Sequence, residues 1–521
     1  MIKELQIVVL PHEAFNTILL KEIVAENLGV DLEDVSYLQV LRRSIDARSR
    51  QPKYNLKVFV VLNEVDYTPV NSLEIRTYKK VDSTKVVVII GAGPAGLFAA
   101  LRLLELGIKP IIFERGKTVK DRRRDLAAIT KEHKVNSDSN YCFGEGGAGT
   151  YSDGKLYTRS TKRGDVTRIL NTLVFNGASA DIMVDAHPHI GTNKLPQIIE
   201  KIRETILEYG GEIHFNTKVT DIIVAKKSVS GVRYKNVITG IEEEKICKKI
   251  ILATGHSARD IFEMLYKKGI LIESKPFALG VRAEHPQSLI DSIQYHCTNR
   301  GEFLPPASYA LVTQTNQKGV YSFCMCPGGI IAPCATEQNQ VVTNGWSPSK
   351  RNNPFANSGI VVEVKEQDLA PYAQYGPLAG MYLQKEIEEK ACKAGGNTQV
   401  APAQRIIDFV NRKVSTSIPD CSYLPGVKSA NMHDLLPKSF AEPLANAFKD
   451  FGNKMKGYLS SEAVMVGFET RTSSPVRIPR NRETYQHPEI TGLFPCAEGA
   501  GYAGGIVSAA IDGEKCAEAC V

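Results

Sequence analysis

The sequence predicts an α/β protein that also contains a mixed-sheet domain and a small N-terminal α+β module. A β-branched run, VVVII, precedes closely spaced glycines and an apolar helical segment, as is typical of a buried parallel strand, a tight turn and a helix. A second strand–glycine–helix pattern, LFPCAEGAGYAGGIVSAAIDG, lies at the end of the chain. Between the two lies a region of many short strands, prolines and glycines. These three observations predict a parallel sheet interrupted by a long insertion.

Residues 1–80 are predicted to form the N-terminal module. ELQIVVLP predicts a strand, the next segment a helix with a glycine stop, and VSYLQVLRRSIDARS and KYNLKVFVVLNEV two further strands. An arginine cluster is its most unusual feature, at Arg42, Arg43, Arg48 and Arg50. A solvated strand face is favoured over an anion-binding or partner-binding site for these arginines.

The first strand–turn–helix unit carries the pattern GxGxxG and ends in an acid. Gly91 makes the tight turn, Gly93 lets the backbone approach a pyrophosphate, and Gly96 lets the helix pack on the strand. Glu114 follows the second strand, Pro110 to Phe113, where a carboxylate binds ribose hydroxyls. The unit therefore predicts a Rossmann-like dinucleotide site, although the motif alone does not separate NAD from FAD. Its candidate contact residues are Gly91, Gly93, Pro94, Ala95, Gly96, Glu114 and Arg115.

A second glycine-rich stretch, CFGEGGAGTYSDGKL, has no buried strand before it and is not a second Rossmann turn. A flexible surface loop is one interpretation. The other is a loop that wraps closely around a planar polar ligand. In that case its contact residues are Gly146, Gly147, Ala148, Gly149, Thr150, Ser152, Asp153 and Lys155.

Composition narrows the classes of function. The net charge of +7 over 521 residues permits an anionic ligand, but no basic tract is interleaved with aromatics, so no nucleic-acid partner is expected. No signal-peptide pattern and no apolar run of membrane-spanning length are found. The eleven cysteines lack framework spacing and predict reduced thiols in a cytoplasmic protein. Cys324, Cys326 and Cys334 lack a fourth ligand and predict buried thiols, so no metal site is expected.

The C-terminal unit decides between the two cofactors. A GxGxxG unit paired with a distant strand that ends in an acid and glycines resembles the glutathione-reductase-like superfamily of FAD proteins. That resemblance implies FAD, with the acid on the flavin's ribityl chain; the usual Gly-Asp is replaced here by Ala497-Glu498-Gly499. The ATG at 253–255 also matches the superfamily, which packs adenine near 217–219. The added contact residues are Val219, Ala253, Thr254, Gly255, Glu498, Gly499, Gly504, Gly505 and Ile506.

More narrowly, several motifs resemble a family of uncharacterised bacterial FAD-dependent dehydrogenases. They are CFGEGGAGTYSDGKL, PHIGTNKL, ALGVRAEHPQSLID and PCAEGAGYAGGIVSAAIDG. The resemblance spans the chain and implies a fold and a cofactor but no substrate. The predicted FAD domain is discontinuous, at 81–272 and 483–521, and the inserted substrate or cap domain covers 273–482.

These patterns predict a FAD-dependent oxidoreductase that moves a hydride or electrons at flavin N5 to or from a small organic substrate, anionic or lipid-like. The backbone at Gly504-Gly505-Ile506 opens a helix and would stabilise negative charge on reduced flavin. In GVRAEHP, Arg282, Glu284 and His285 are the candidate catalytic residues, and a salt-bridged strand is the alternative. NAD(P)H is expected only as a transient electron donor. A flavin-containing RNA-modifying or RNA-binding protein and a non-catalytic redox-sensing flavoprotein remain alternatives.

Overall fold

The N-terminal module is a small antiparallel sheet with one helix. The computed structural model describes residues 1–64, 67, 76–158 and 162–521, so part of the predicted 1–80 interval lies outside the described residues. The module's elements are β1 (Ile2–Val9), α1 (Thr17–Leu28), β2 (Val35–Asp46) and β3 (Lys53–Leu62). The sheet order is β1-β3-β2. Asn16 begins α1 by accepting hydrogen bonds from two backbone N–H groups, and Gly29 ends it at φ 65°.

The module packs against the rest of the chain. The Tyr54 hydroxyl donates to the Phe303 carbonyl at 2.8 Å, and Phe15 stacks on the Phe303 ring. Arg43 donates to Asp185 at 2.8 Å, which ties β2 to the next domain. One member of the predicted arginine cluster is therefore paired within the chain rather than solvated.

A five-stranded parallel sheet forms the second domain, as the sequence predicts. Its first segment contains β4 (Val86–Ile90), α2 (Pro94–Leu106), β5 (Lys109–Phe113), α3 (Val119–Glu132), α4 (Val166–Phe175), α5 (Leu195–Glu208), β6 (Glu212–His214), β7 (Thr217–Ala225), β8 (Ser228–Asn236), β9 (Glu242–Ile246), β10 (Ile250–Leu252) and α6 (Arg259–Lys267). Strands β7, β8 and β9 form a separate antiparallel sheet in that order. Strand β4 is almost fully buried, which explains its unbroken β-branched sequence.

The inserted domain is built on a seven-stranded mixed sheet. Its elements are β11 (Glu273–Ser274), β12 (Ala278–Pro286), α7 (Gln287–Tyr295), β13 (Val312–Thr315), β14 (Lys318–Cys326), β15 (Ile330–Pro333), β16 (Thr343–Trp346), β17 (Phe355–Glu363), α8 (Ala379–Ala394), β18 (Ala401–Arg405), α9 (Ile406–Val410), β19 (Val427–Ser429), α10 (Met432–Leu435), α11 (Lys438–Lys454), β20 (Val464–Glu469) and β21 (Val476–Arg477). The sheet order is β13-β14-β17-β12-β20-β18-β19. Where the insertion meets the parallel sheet, β11 pairs with β21.

The end of the chain returns to the parallel sheet. β22 (Leu493–Pro495) pairs with β10, which gives the order β22-β10-β4-β5-β6, and α12 (Ile506–Ala519) then packs against α2. A Cβ on Gly513 would lie 2.1 Å from the Ala95 carbonyl oxygen, so only glycine permits this close approach of the two helices. The first and last glycine-rich turns thus lie on neighbouring parts of one sheet edge.

Two further features complete the fold. Among the described residues, no helix has both the length and the apolar character that crossing a membrane requires. All eleven cysteines are free thiols. Cys496, Asp512 and Cys516 cluster together, but the Arg480 guanidinium donates to Asp512 at 2.5 Å and to the Cys516 sulfur at 3.4 Å. This cluster is therefore a buried ion pair flanked by thiols.

Candidate active site

A cavity of about 1060 Å³ opens where β4, β10 and β22 end. The carboxyl ends of parallel strands are where ligands bind in open α/β sheets. One side of the cavity consists of the glycine-rich turns, and the other consists of β14, β16 and the end of β20. A ligand in this cavity would contact both domains.

The first turn has the geometry that its three glycines predict. Gly91 has φ 103°, and a Cβ there would lie 2.5 Å from the Ala253 carbonyl oxygen. A Cβ on Gly96 would lie 2.0 Å from the Gly91 carbonyl oxygen, so the helix packs directly on the turn. Gly93 faces the cavity at the start of α2, whose N-terminal N–H groups suit an anion such as a pyrophosphate.

Glu114 connects three loops around this turn. Its carboxylate accepts hydrogen bonds from the backbone N–H groups of Ala92 at 2.8 Å, Gly116 at 2.9 Å and Gly144 at 2.9 Å. The side chain is buried and also lines the cavity. The neighbouring Arg115 lines it too and donates to Asp260 at 2.8 Å. Glu114 therefore shapes the turn in addition to any contact with a ribose.

The second glycine-rich stretch is a supported wall rather than a flexible surface loop. Fully buried Arg122 donates to the carbonyl oxygens of Glu145 at 3.0 Å and Gly147 at 2.9 Å, a role that no sequence pattern predicts. A Cβ on Gly146 would lie 1.9 Å from Thr150 Oγ1, so these two predicted residues support the loop from behind. The predicted residues of this stretch that line the cavity are Gly147, Ala148, Gly149, Ser152, Asp153 and Lys155.

The C-terminal turn closes the same side of the cavity. Glu498 lines it, with an oxygen 3.6 Å from His256 Nδ1. At Gly504, a Cβ would have no heavy atom of the described chain within 4 Å, and the same holds at Gly505. Gly499 instead packs on Gly255, since a Cβ there would lie 2.7 Å from the Gly255 carbonyl oxygen. The remaining predicted residues that line the cavity are Pro94, Ala95, Val219, Ala253, Thr254, Gly255 and Ile506.

These residues fit FAD. Two helix N-termini, those of α2 and α12, open onto one cavity beside glycines that leave backbone exposed. The acids Glu114 and Glu498 lie on the same lining, and they are the residues that would hold ribose and ribityl hydroxyls. A dinucleotide held along this edge would lie against each of these features.

The opposite side contains an acid that sequence reasoning missed. Glu469, at the end of β20, lines the cavity and is 2% exposed. Its Oε2 accepts a hydrogen bond from Arg282 Nη1 at 2.7 Å, whereas Oε1 has no partner among the described residues. Burial raises the pKa of Glu469 to about 7 against the opposing charge of Arg282. No sequence motif identifies Glu469, because its contact with Arg282 forms only when β20 pairs with β12 in the folded protein.

The predicted catalytic residues of β12 lie behind this wall. Arg282 is fully buried and positions Glu469. Glu284 accepts a backbone hydrogen bond from Ser422 at 2.7 Å, and burial raises its pKa to about 7. The Nε2 of His285 contacts the Tyr458 carbonyl oxygen at 2.9 Å, and burial lowers its pKa to about 4. Glu284 and His285 are buried within the inserted domain and do not line the cavity.

A buried ion network holds another part of the wall. Arg471 lines the cavity and donates to Glu388 at 2.9 Å, and Arg259 donates to the same carboxylate at 2.8 Å. Although burial opposes ionisation, the two guanidinium groups lower the pKa of Glu388 to about 2. The network joins α6 of the parallel-sheet domain to α8 of the inserted domain.

Comparison with known families agrees with this architecture. Residues 85–265 match the family described as pyridine nucleotide-disulphide oxidoreductase, and residues 276–472 match FAD-dependent protein, C-terminal domain-like. Residues 1–61 match a domain of unknown function. The fold and the site thus define a FAD-dependent oxidoreductase family, and FAD is the cofactor.

Sequence comparison with individual proteins identifies the family more narrowly. An uncharacterised protein of Clostridium beijerinckii is 39% identical over 516 residues, covering 96% of this chain and 95% of that protein. The chain belongs to the same uncharacterised FAD-dependent family as this relative. A thiamine thiazole synthase of Aeropyrum pernix is 27% identical over 228 residues, 42% of this chain and 72% of that enzyme.

Solved structures give weaker similarity. A flavocytochrome c3 fumarate reductase in an open conformation has 13% identity and a TM-score of 0.33, covering 84% of this chain and 79% of that one. A geranylgeranyl bacteriochlorophyll reductase-like protein of Thermoplasma acidophilum has 12% identity and a TM-score of 0.33, covering 83% and 77%.

Proposed function

We propose that this protein is a flavoenzyme that moves a hydride or electrons between flavin N5 and a small organic substrate bound against the inserted domain. The observation that carries the proposal is Glu469, a buried carboxyl on the cavity lining, one oxygen of which has no hydrogen-bond partner among the described residues. Bound FAD supplies the hydride or electron chemistry at N5. The residues of the chain then have to bind, orient and protonate the reactants.

Glu469 is the proposed proton donor or acceptor. A pKa of about 7 lets a carboxyl hold a proton or release it at neutral pH. Arg282 fixes the carboxyl through Oε2, and Oε1 has no partner among the described residues. Arg282 is thus a positioning residue in this proposal.

The wall around Glu469 suits an organic substrate with an anionic group. Lys155 supplies a positive charge on the cavity lining, and Tyr321, Phe323 and Trp346 supply aromatic surface. The Lys155 ammonium donates to the Met325 carbonyl oxygen and lies 3.9 Å from Asp153, which also pairs with Arg351 at 2.9 Å. The positive charge and the aromatic surface together favour a small, largely apolar molecule with an anionic group as the substrate.

The N-terminus of α12 has the complementary role on the cofactor side. Its first N–H groups and the helix dipole favour negative charge next to Gly505 and Ile506. We further propose that NAD(P)H, if it reduces this enzyme, enters the same cavity transiently, because both buried strands that precede a GxGxxG pattern, β4 and β22, end at that cavity.

The test has two stages. Flavin released by denaturation is identified by chromatography, and the holoprotein is then mixed with NADH, NADPH and a panel of conjugated acids and ketones in stopped flow. Glu469→Gln is expected to slow the flavin redox step at least tenfold and to remove its inflection near pH 7. Glu284→Gln, which removes another buried carboxyl of the same domain, is the control and should leave the rate unchanged. A flavin that resists every reductant and acceptor would instead support a non-catalytic flavoprotein.

A further inference from the structure

Cys324 occupies a strained position on the cavity lining. It lies in β14, where the register with β17 shifts between Phe323 and Cys326. Its φ is 47°, in the left-handed region that a residue with a side chain rarely adopts. Strained backbone of this kind persists where the surrounding structure enforces it, and it is concentrated at functional sites.

Positive charges surround this thiol. Lys155 Nζ lies 3.8 Å from the Cys324 sulfur and 4.0 Å from the Cys326 sulfur. Arg282 Nη2 donates to the Cys324 carbonyl oxygen at 2.6 Å and to the Cys326 sulfur at 3.3 Å. A hydrogen bond from Cys326, followed by the charges of Lys155 and Arg282, holds the pKa of Cys324 well below its usual range although burial opposes this.

A second, independent observation indicates a ligand at this place. Glu469 Oε1 and Thr343 Oγ1 are both buried and have no hydrogen-bond partner in the described part of the chain. Both residues line the same cavity as Cys324. Buried polar atoms are nearly always paired, so each of these two atoms leaves a hydrogen-bonding position for a polar molecule bound in the cavity.

We propose that Cys324 is a nucleophile that adds reversibly to an electron-poor alkene carbon of the substrate, with Glu469 as the proton donor. This deepens the proposed function by naming the substrate class of the same cavity, a conjugated unsaturated carbonyl compound, and it rests on that function. Lys155 and Arg282 are the positioning residues for the thiolate and the acid.

The step balances without a further reactant. The Cys324 sulfur provides the electron pair of a new S–C bond to the β-carbon. The alkene π pair moves to the α-carbon, which takes a proton from the Glu469 carboxyl. The carboxylate formed is stabilised by Arg282 at 2.7 Å. Reversal returns the proton and releases the substrate, and no oxidation occurs.

The experiment measures labelling of single cysteines in the holoprotein by peptide mass spectrometry. Iodoacetamide tests the thiolate, and acrylamide, a conjugated alkene, tests the addition. Between pH 6 and 9 the Cys324 rate with iodoacetamide is expected to be nearly constant. Free N-acetylcysteine in the same buffer is the control, and its rate should rise about tenfold per pH unit below its pKa of about 8.5.

Two variants and their two matched controls separate the roles of the neighbouring residues. Lys155→Met should lower the Cys324 rate at pH 6 at least tenfold, and Lys268→Met, in the parallel-sheet domain, should not. Glu469→Gln should slow acrylamide at least tenfold relative to iodoacetamide, whereas Glu284→Gln should leave that ratio unchanged. If a variant fails to fold, the thiolate absorbance of the wild-type protein near 240 nm, titrated against pH, replaces it.

The outcomes are distinguishable from those for the proposed function. A Cys324 rate that follows pH as that of N-acetylcysteine does, or a Cys324 that neither reagent labels, would overturn the inference whatever the flavin does. A flat Cys324 profile together with the acrylamide effect of Glu469→Gln would support it even in a protein whose flavin is never turned over.

Discussion

Gly504 offers a direct test of what fills the cavity. A Cβ at this position would have no heavy atom of the described chain within 4 Å, and the φ of Gly504 lies outside the left-handed region. Gly504→Ala and Gly504→Val should therefore fold normally, and alanine should add up to about 1 kcal/mol of stability by restricting the unfolded chain.

The same substitutions should weaken FAD binding. An added side chain would occupy space on the cavity lining that the cofactor needs, and overpacking of this kind typically costs about 1–3 kcal/mol. For Gly504→Val this corresponds to a Kd increase of about fivefold to 150-fold. Gly504→Ala should show a smaller increase.

The assay is titration of FAD into cofactor-free protein, followed by flavin fluorescence, with thermal unfolding of the same samples. Gly319→Val is the matched control, because a Cβ there lies 3.5 Å from Gln314 Nε2, outside the cavity lining. It should leave the Kd unchanged. Equal FAD affinity in Gly504→Val and wild type would refute the placement of FAD beside α12.

Three carboxyl groups give further expectations. Glu498→Ala should raise the Kd for FAD about tenfold to hundredfold, since a hydrogen bond to a charged group contributes about 1.5–3 kcal/mol, and titration against Glu498→Gln measures this. Glu388→Gln should lower the free energy of unfolding at pH 7 by about 3–5 kcal/mol in urea, because it leaves Arg259 and Arg471 without their anion. In the wild-type protein the stabilisation that ionised Glu388 contributes should be lost as pH falls from 4.5 toward about 2, because folding lowers the pKa of this carboxyl. Because folding raises the pKa of Glu284 from 4.5 to about 7, its burial should destabilise the protein increasingly over that pH interval. Glu284→Gln should therefore gain stability relative to wild type between pH 5 and 8, and a constant difference would contradict this.

The cofactor side of the site could be predicted from sequence because its signals are local. Gly91 and Gly96 lie a few residues apart, and their conformations follow from the strand and helix that flank them. The C-terminal turn could be linked to them only through resemblance, since no local pattern shows that β22 pairs with β10.

The substrate side could not be predicted in this way. Glu469 is held by Arg282, which lies on the neighbouring strand β12. The two residues are far apart in the sequence, and no periodic pattern in the sequence predicts that they meet. The sequence predicts the same catalytic site for Glu284 and Arg282, because strand alternation places both residues on one face of β12. Its contact with Ser422, which turns it into a core residue, arises from tertiary packing alone.

A crystal structure of the purified yellow holoprotein would test the central claim most directly. We expect FAD with its pyrophosphate at the Gly91–Gly96 turn and its flavin ring between Gly504 and the wall that contains Glu469 and Cys324. A flavin ring bound away from that wall, or a pyrophosphate outside the first turn, would contradict it.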